Sequence, residues 1–200
     1  DVYKRQVRVM PAETLVKLPD AISFEQGAAM MLQGLTVQYL LNDSYQVKPG
    51  DTVLFHAAAG GVGLIACQWL KALGATVIGT VGSEEKATLA KAHGCDHTIL
   101  YNKEDFVQRT RELTDGKGVP VVYDSIGKDT FMQSLDCLMP RGMMVTYGNA
   151  SGPVPPVDVS ILGGKGSLKL TRPTVMTYAH NRNLLEPMAA DLFEKVMSGK

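Results

Sequence analysis

The sequence predicts an α/β fold, a doubly wound parallel sheet with helices on both faces, from three observations. From Thr52 onward, short apolar β-branched runs alternate with helical segments, the order that builds βαβ units. The runs are continuously apolar, as strands are when both sheet faces are covered. Glycines such as Gly74 and Gly94 stand where helices should end.

The elements follow in order. Val7–Lys17 alternates and stops before Leu18-Pro19-Asp20, so it reads as the tail of a β-rich unit. Ser23 caps a helix running through Ala28–Leu41, and Gln26, three residues on, completes a capping-box pattern. Lys48-Pro49-Gly50-Asp51 signals a turn. Thr52–His56 (TVLFH) is a buried strand, Ala57–Gly63 a small-residue loop, and Val62–Leu73 a helix ended by Gly74. Ala75–Gly79 is the second strand; Ser83 caps a helix over Glu84–His93. Thr98–Leu100 is the third strand, Asp105–Thr114 a helix, Val119–Asp124 the fourth strand and Asp129–Leu138 a helix. Gly142–Tyr147 is the fifth strand. Pro153, Pro155 and Pro156 mark an irregular loop, Ser167–Thr171 is a sixth strand, and Asn183–Met197 a final helix.

Composition narrows the function classes. The 200 residues suit one large domain, or one domain and part of another, and 45% hydrophobic residues are ample for a core. Twenty basic residues balance 20 acidic ones, which argues against a nucleic-acid partner. No apolar stretch approaches the roughly 20 residues of a membrane helix. Cys67, Cys95 and Cys137 lie far apart without a CxxC pair, suggesting neither a disulfide framework nor a zinc cluster, and a reducing, cytoplasmic setting. His56, His93, His97 and His180 lack partners at metal-ligand spacing, so no metal site is expected. The chain opens on Asp1 and stops at Ser198-Gly199-Lys200, where a further element should start. It is therefore read as an internal stretch of a longer protein, with Asp1–Gln6 set aside as a read-end artefact.

The loop after the first strand carries the chemistry. Ala57-Ala58-Ala59-Gly60-Gly61-Val62-Gly63-Leu64 follows a strand and opens a helix, and it matches AxxGxxG on Ala57, Gly60 and Gly63. Gly60 lets the backbone approach a pyrophosphate, Gly63 lets the helix pack on its strand, and the helix N-terminus offers free N–H groups. This is a dinucleotide fingerprint in a Rossmann setting. NAD sites place an acid about 20 residues further on, at the end of the second strand. Here that stretch reads Gly79-Thr80-Val81-Gly82-Ser83, with Lys86 on the next helix. A hydroxyl, free amides and an ammonium suit a 2′-phosphate, so NADP is favoured over NAD. Glu84-Glu85 opposes this, though acids are also common in a helix's first turn.

These residues carry a family resemblance. FHAAAGGVGLIACQWLKALGATVIGTVGSEEK, VVYDSIGKDTF, RGMMVTYGNASG and SLKLTRP together resemble the NADPH:quinone oxidoreductases, the zeta-crystallin-like branch of the medium-chain dehydrogenase/reductase superfamily. The resemblance runs from about Val7 onward. It implies that residues 1–20 end a GroES-like β domain, that 21–200 form the NADP-binding domain, and that further chain follows. It implies that Gly60, Gly61, Val62, Gly63 and Leu64 hold the pyrophosphate, and that Gly82, Ser83, Lys86 and Tyr101 hold the 2′-phosphate side. Thr36, Tyr147, Gly148 and Asn149 would lie near the nicotinamide; Tyr147 stands where the family more often has Phe. It further implies a homodimer through the edge strand 167–171, where Leu168 and Leu170 share a face.

Hydride transfer belongs to the cofactor, and no catalytic residue is assigned. His56 reads as an imidazole bonded to nearby backbone, Cys67 as packing, Trp69 as a packed helix face, and Asp124 and Ser125 as neighbours of the cofactor. A quinone acceptor needs no metal. Reduction of enoyl or other α,β-unsaturated carbonyl groups uses the same kind of site, and a non-enzymatic NADPH-binding protein would keep every one of these features. A zinc-dependent alcohol dehydrogenase is the remaining alternative, and it predicts bound zinc.

Overall fold

A computed structural model describes residues 9–199. Its six strands are β1 (Thr52–Phe55), β2 (Thr76–Val81), β3 (His97–Leu100), β4 (Val119–Asp124), β5 (Leu138–Thr146) and β6 (Lys169–Thr171). They form one parallel sheet in the order β3-β2-β1-β4-β5-β6. The helices are α1 (Phe24–Tyr39), α2 (Gly61–Ala72), α3 (Glu84–Ala92), α4 (Phe106–Leu113), α5 (Phe131–Asp136), α6 (Ser160–Gly164), α7 (Val175–Tyr178) and α8 (Arg182–Ser198). This is the doubly wound fold expected.

Alternate side chains of each strand enter opposite cores. Val53, Phe55, Val77, Val121 and Tyr123 pack with α1, α2, α3 and α8. Leu54, Ile78, Val122 and Met144 pack with Phe106 of α4 and with Phe131 and Leu135 of α5. Each such side chain buried contributes roughly 1.5–3 kcal/mol, so both faces commit the strands to the sheet centre. The winding reverses between β1 and β4, which opens a crevice at their carboxyl ends.

Several boundaries differ from expectation for identifiable reasons. Ser23 does form the capping box, its hydroxyl accepting from the Gln26 N–H at 3.2 Å while the Gln26 side chain accepts from the Ser23 N–H at 3.0 Å. The α-helix stops at Tyr39, however, and Leu40–Ser44 widens into a π turn in which the Tyr45 N–H reaches Leu40 O. β2 runs two residues past Gly79 because Thr80 and Val81 pair with Ile99 and Leu100 of β3. α5 ends at Asp136, short of Leu138, because Leu138 pairs with Val119 and starts β5. The sixth strand begins only at Lys169: Ser167 takes a left-handed φ of 56° and the Leu168 N–H bonds Leu162 O. Leu168 is buried in the core while Leu170 is 41% exposed, so the two do not share an exposed edge.

No strand precedes Thr52 among the described residues. Within the expected strand region Val7–Lys17, Ala12–Thr14 is a 3-10 turn, and Thr14 Oγ1 donates to Pro11 O at 3.2 Å. Pro11 has no N–H for a ladder. Residues 1–8, with the expected artefact Asp1–Gln6, lie outside the described residues.

Candidate functional site

β1 delivers its chain to the crevice as His56-Ala57-Ala58-Ala59-Gly60, and α2 starts at Gly61. Ala57 adopts a left-handed φ of 55°, unusual for a residue with a Cβ. Its carbonyl accepts the Gly60 N–H at 2.8 Å. A Cβ on Gly63 would lie 2.4 Å from Ala57 O and 2.6 Å from Ala58 O, so only glycine fits where α2 crosses β1. Gly60 is the N-cap of α2, and no side chain caps its first turn. The first-turn amides of Gly61, Val62 and Gly63 and the dipole's positive end are therefore left for an anion.

At the end of β2, Ser83 caps α3, its hydroxyl accepting from the Lys86 N–H at 3.2 Å. A Cβ on Gly82 would lie 3.0 Å from the Tyr101 hydroxyl, and Asn102 Nδ2 donates to Gly82 O at 3.1 Å. Gly82 thus meets Tyr101, and Ser83 meets the backbone of Lys86, which stands in the first turn of α3. No carboxylate ends the strand, and Lys103 pairs with Glu84 at 3.4 Å, offsetting one of the two acids that follow.

Two clefts open at the carboxyl ends of the strands. The first, about 530 Å3, lies by β2, β3 and β4 and is lined by Thr80, Tyr101, Phe106, Ile126, Thr130 and Gln133 among others. The second, about 720 Å3, brings Thr36, Tyr39, Val62, Ser125, Tyr147, Gly148 and Arg172 together. Asn149 stands apart from Tyr147 and Gly148, in a neighbouring hollow with Phe131, Thr146 and Arg172. Burial pushes the Tyr147 hydroxyl well up, and pushes Tyr39 up to about 12 despite the nearby Arg172 charge. Both phenols stay protonated at neutral pH. Gly148 is required as glycine, since a Cβ there would meet Ser125 O at 2.6 Å.

Sequence reasoning missed Tyr39 and Arg172. Tyr39 sits one helical turn after Thr36, and Arg172 directly follows β6, where sheets of this type hold ligands; those were the available signals. His56 does not make the side-chain bonds to nearby backbone that its sequence setting suggests. Its ring bonds two hydroxyls, Thr80 Oγ1 and Ser134 Oγ, each at 2.9 Å, rather than backbone. Strand alternation turns it away from the solvent and toward α5. Asp124 is buried and accepts from the Ile126 and Gly127 N–H groups and from Thr130 Oγ1, so it ties down the turn after β4. The three cysteines are buried and unbridged, and Trp69 of α2 is packed, with Lys195 Nζ 5.9 Å from its ring centre. Among the described residues no group of three or more His, Cys, Asp or Glu draws together to hold a metal, and no helix is long and apolar enough to cross a membrane.

Comparison with known proteins places this geometry in context. The family model for zinc-binding dehydrogenases matches residues 61–190. The chain is 57% identical over 194 residues to a quinone oxidoreductase of Pseudomonas aeruginosa, covering 97% of this chain and 60% of that one. It is 52% identical to a 2-haloacrylate reductase of Burkholderia, over 97% of this chain and 59% of the relative. The crystal structure of Escherichia coli quinone oxidoreductase complexed with NADPH superposes with a TM-score of 0.90 at 55% identity, over 92% of this chain and 56% of that one. The chain therefore spans about three-fifths of the length of the curated relatives it matches.

Proposed function

The chain belongs to the zinc-binding dehydrogenase family, and on that premise we propose that it forms the dinucleotide-binding part of an NADPH-dependent reductase that passes hydride to a quinone. The observation that carries this reading is the cradle at the switch point. Gly60 and Gly63 close on the Ala57 carbonyl, and the uncapped first turn of α2 is left for a diphosphate. The 57% identical relative named a quinone oxidoreductase and the NADPH complex of a similar chain support the same reading.

The residues present fit the dinucleotide. Gly60, Gly61, Val62, Gly63 and Leu64 would hold the pyrophosphate through amides and the helix dipole. Gly82, Ser83, Lys86 and Tyr101 would hold the 2′-phosphate, whose charge suits an ammonium and hydroxyls where an NAD site would carry an acid. Thr36, Tyr147 and Gly148 would border the nicotinamide, with Asn149 behind them. When bound, the reduced cofactor supplies a hydride. Tyr39 and Tyr147 would give the cleft aromatic walls, and Arg172 brings it a positive charge that offsets the negative charge developing on an acceptor oxygen. Quinone carbonyls are electron-poor, so this chemistry proceeds without zinc.

A second reading, reduction of an α,β-unsaturated acceptor, is favoured by the 52% identical relative named for a haloacrylate. Such an acceptor would use the same cleft and the same Arg172 charge. The wider setting belongs to the proposal too. Residues 1–20 would end a GroES-like domain and 21–200 form the NADP domain, in a cytoplasmic homodimer without nucleic-acid or membrane partners. The open edge of β6 supports the dimer.

Calorimetric titration with NADPH and NADH, on wild type and Lys86→Ala, tests the assignment. The variant should bind NADPH about tenfold more weakly and NADH unchanged. Equal affinities untouched by the substitution overturn the NADPH reading. Quinone-dependent NADPH oxidation by the protein at its full length tests the acceptor, with a 2-haloacrylate as the competing substrate.

A further inference from the structure

We propose that Thr80, its hydroxyl oriented by the buried His56 imidazole, is a positioning residue of the dinucleotide site, acting on the Ala57 backbone from which the glycine loop is built. The inference rests on the dinucleotide reading above.

His56 is 1% exposed at the carboxyl end of β1. Its Nδ1 meets Thr80 Oγ1 and its Nε2 meets Ser134 Oγ, both at 2.9 Å, while the edge of the Phe106 ring system closes the site. One arrangement of protons satisfies every group. Ser134 gives its O–H to Thr130 O at 2.8 Å, so it can only accept from His56, and Nε2 carries the proton. Nδ1 is then an acceptor and takes the O–H of Thr80. That leaves the lone pairs of Thr80 Oγ1 facing the Ala57 N–H, which donates to it at 3.3 Å. In the other tautomer the buried Thr80 O–H would have no acceptor among these groups, a cost of about 1–3 kcal/mol.

Ala57 is where this network meets the site. Its φ of 55° costs roughly 1–2 kcal/mol in a residue with a Cβ, so something must hold it. Thr80 binds it from both sides of the peptide: its hydroxyl takes the Ala57 N–H, and its carbonyl takes the Ala58 N–H at 3.1 Å. The Ala57 carbonyl, aimed by that conformation, accepts the Gly60 N–H and seats Gly63. Thr80 also lines the first cleft, so the same residue joins the loop to the cleft wall.

Titration of wild type, Thr80→Val and Thr80→Ser with NADPH and NADH reads the role. Valine keeps the shape and removes the hydroxyl; both dinucleotides should then bind about three- to tenfold more weakly, by the same factor, because the loop meets the diphosphate they share. Thr80→Ser should restore affinity. A folded Thr80→Val variant with wild-type affinity overturns the role, even if its melting temperature falls. Wild type that binds neither dinucleotide overturns the site reading and this role with it. If Thr80→Val does not fold, the 15N shifts of the wild-type imidazole decide: a protonated Nε2 and bare Nδ1 are expected, and the reverse overturns the proposal.

Discussion

The carbonyl oxygen of Ala57 stands 2.4 Å from the point that a Cβ on Gly63 would occupy, and it accepts the Gly60 N–H at 2.8 Å. The AxxGxxG spacing is thus a single contact, between a strand end and the first turn of the helix that follows it. Gly63→Ala would gain about 1 kcal/mol of helix propensity but would push α2 off β1, and overpacking of this kind costs about 1–3 kcal/mol. Gly60 leaves 3.1 Å to the same oxygen and can give a little. Thermal unfolding should therefore rank Gly63→Ala below Gly60→Ala; the opposite order would mean that Gly63 serves the ligand and not the packing.

Arg172 is the charged residue of the cleft it shares with Thr36, Tyr39 and Tyr147. Arg172→Ala in the protein at its full length should lower quinone turnover about tenfold or more, with NADPH affinity close to wild type. Turnover that survives the substitution would remove Arg172 from the reaction.

Tyr39 and Tyr178 stack with ring centres 4.6 Å apart and planes within 10°, and Ser44 Oγ donates to the Tyr178 hydroxyl at 3.3 Å. The stack fastens α7, and with it the segment 172–175, to α1. Tyr178→Ala should destabilise by about 0.5–1.5 kcal/mol beyond the lost area, whereas Tyr178→Phe keeps the rings together and should melt close to wild type. Equal melting temperatures for the two variants would show that the stack holds nothing.

Burial holds the His56 imidazole below its ordinary value of 6.5, with the Asp124 carboxylate opposing the shift. Below about pH 6.5 the unfolded chain takes up a proton at this position that the folded chain refuses, so stability falls as pH drops. This single group contributes at most about 1.4 kcal/mol per pH unit. Melting temperatures measured downward from about pH 7.5 should fall less steeply in His56→Gln than in wild type. Parallel slopes would show that His56 is not the group responsible.

The fold was largely legible because its signals are local. Apolar runs, the Ser23 capping box and the small-residue loop each declare themselves within a few residues. Two of the misjudged boundaries are set by a distant partner. β2 lengthens because β3 lies beside it, and α5 is cut short because Leu138 finds Val119. The site divided the same way. Gly60–Leu64 and the acid-free end of β2 are contiguous in sequence, but Arg172 enters the Thr36 cleft only because β6 sits beside β5 and α7 docks on α1.

By itself, then, the sequence determined the parallel sheet, the position of the glycine loop and the 2′-phosphate preference to be tested, since these follow from residue types at short spacing. Tertiary structure alone decided which side chains share a cleft and what His56 bonds. Its partners, Thr80 and Ser134, lie 24 and 78 residues away, and their choice depends on burial, where a polar group must take whatever partner the packing brings within reach.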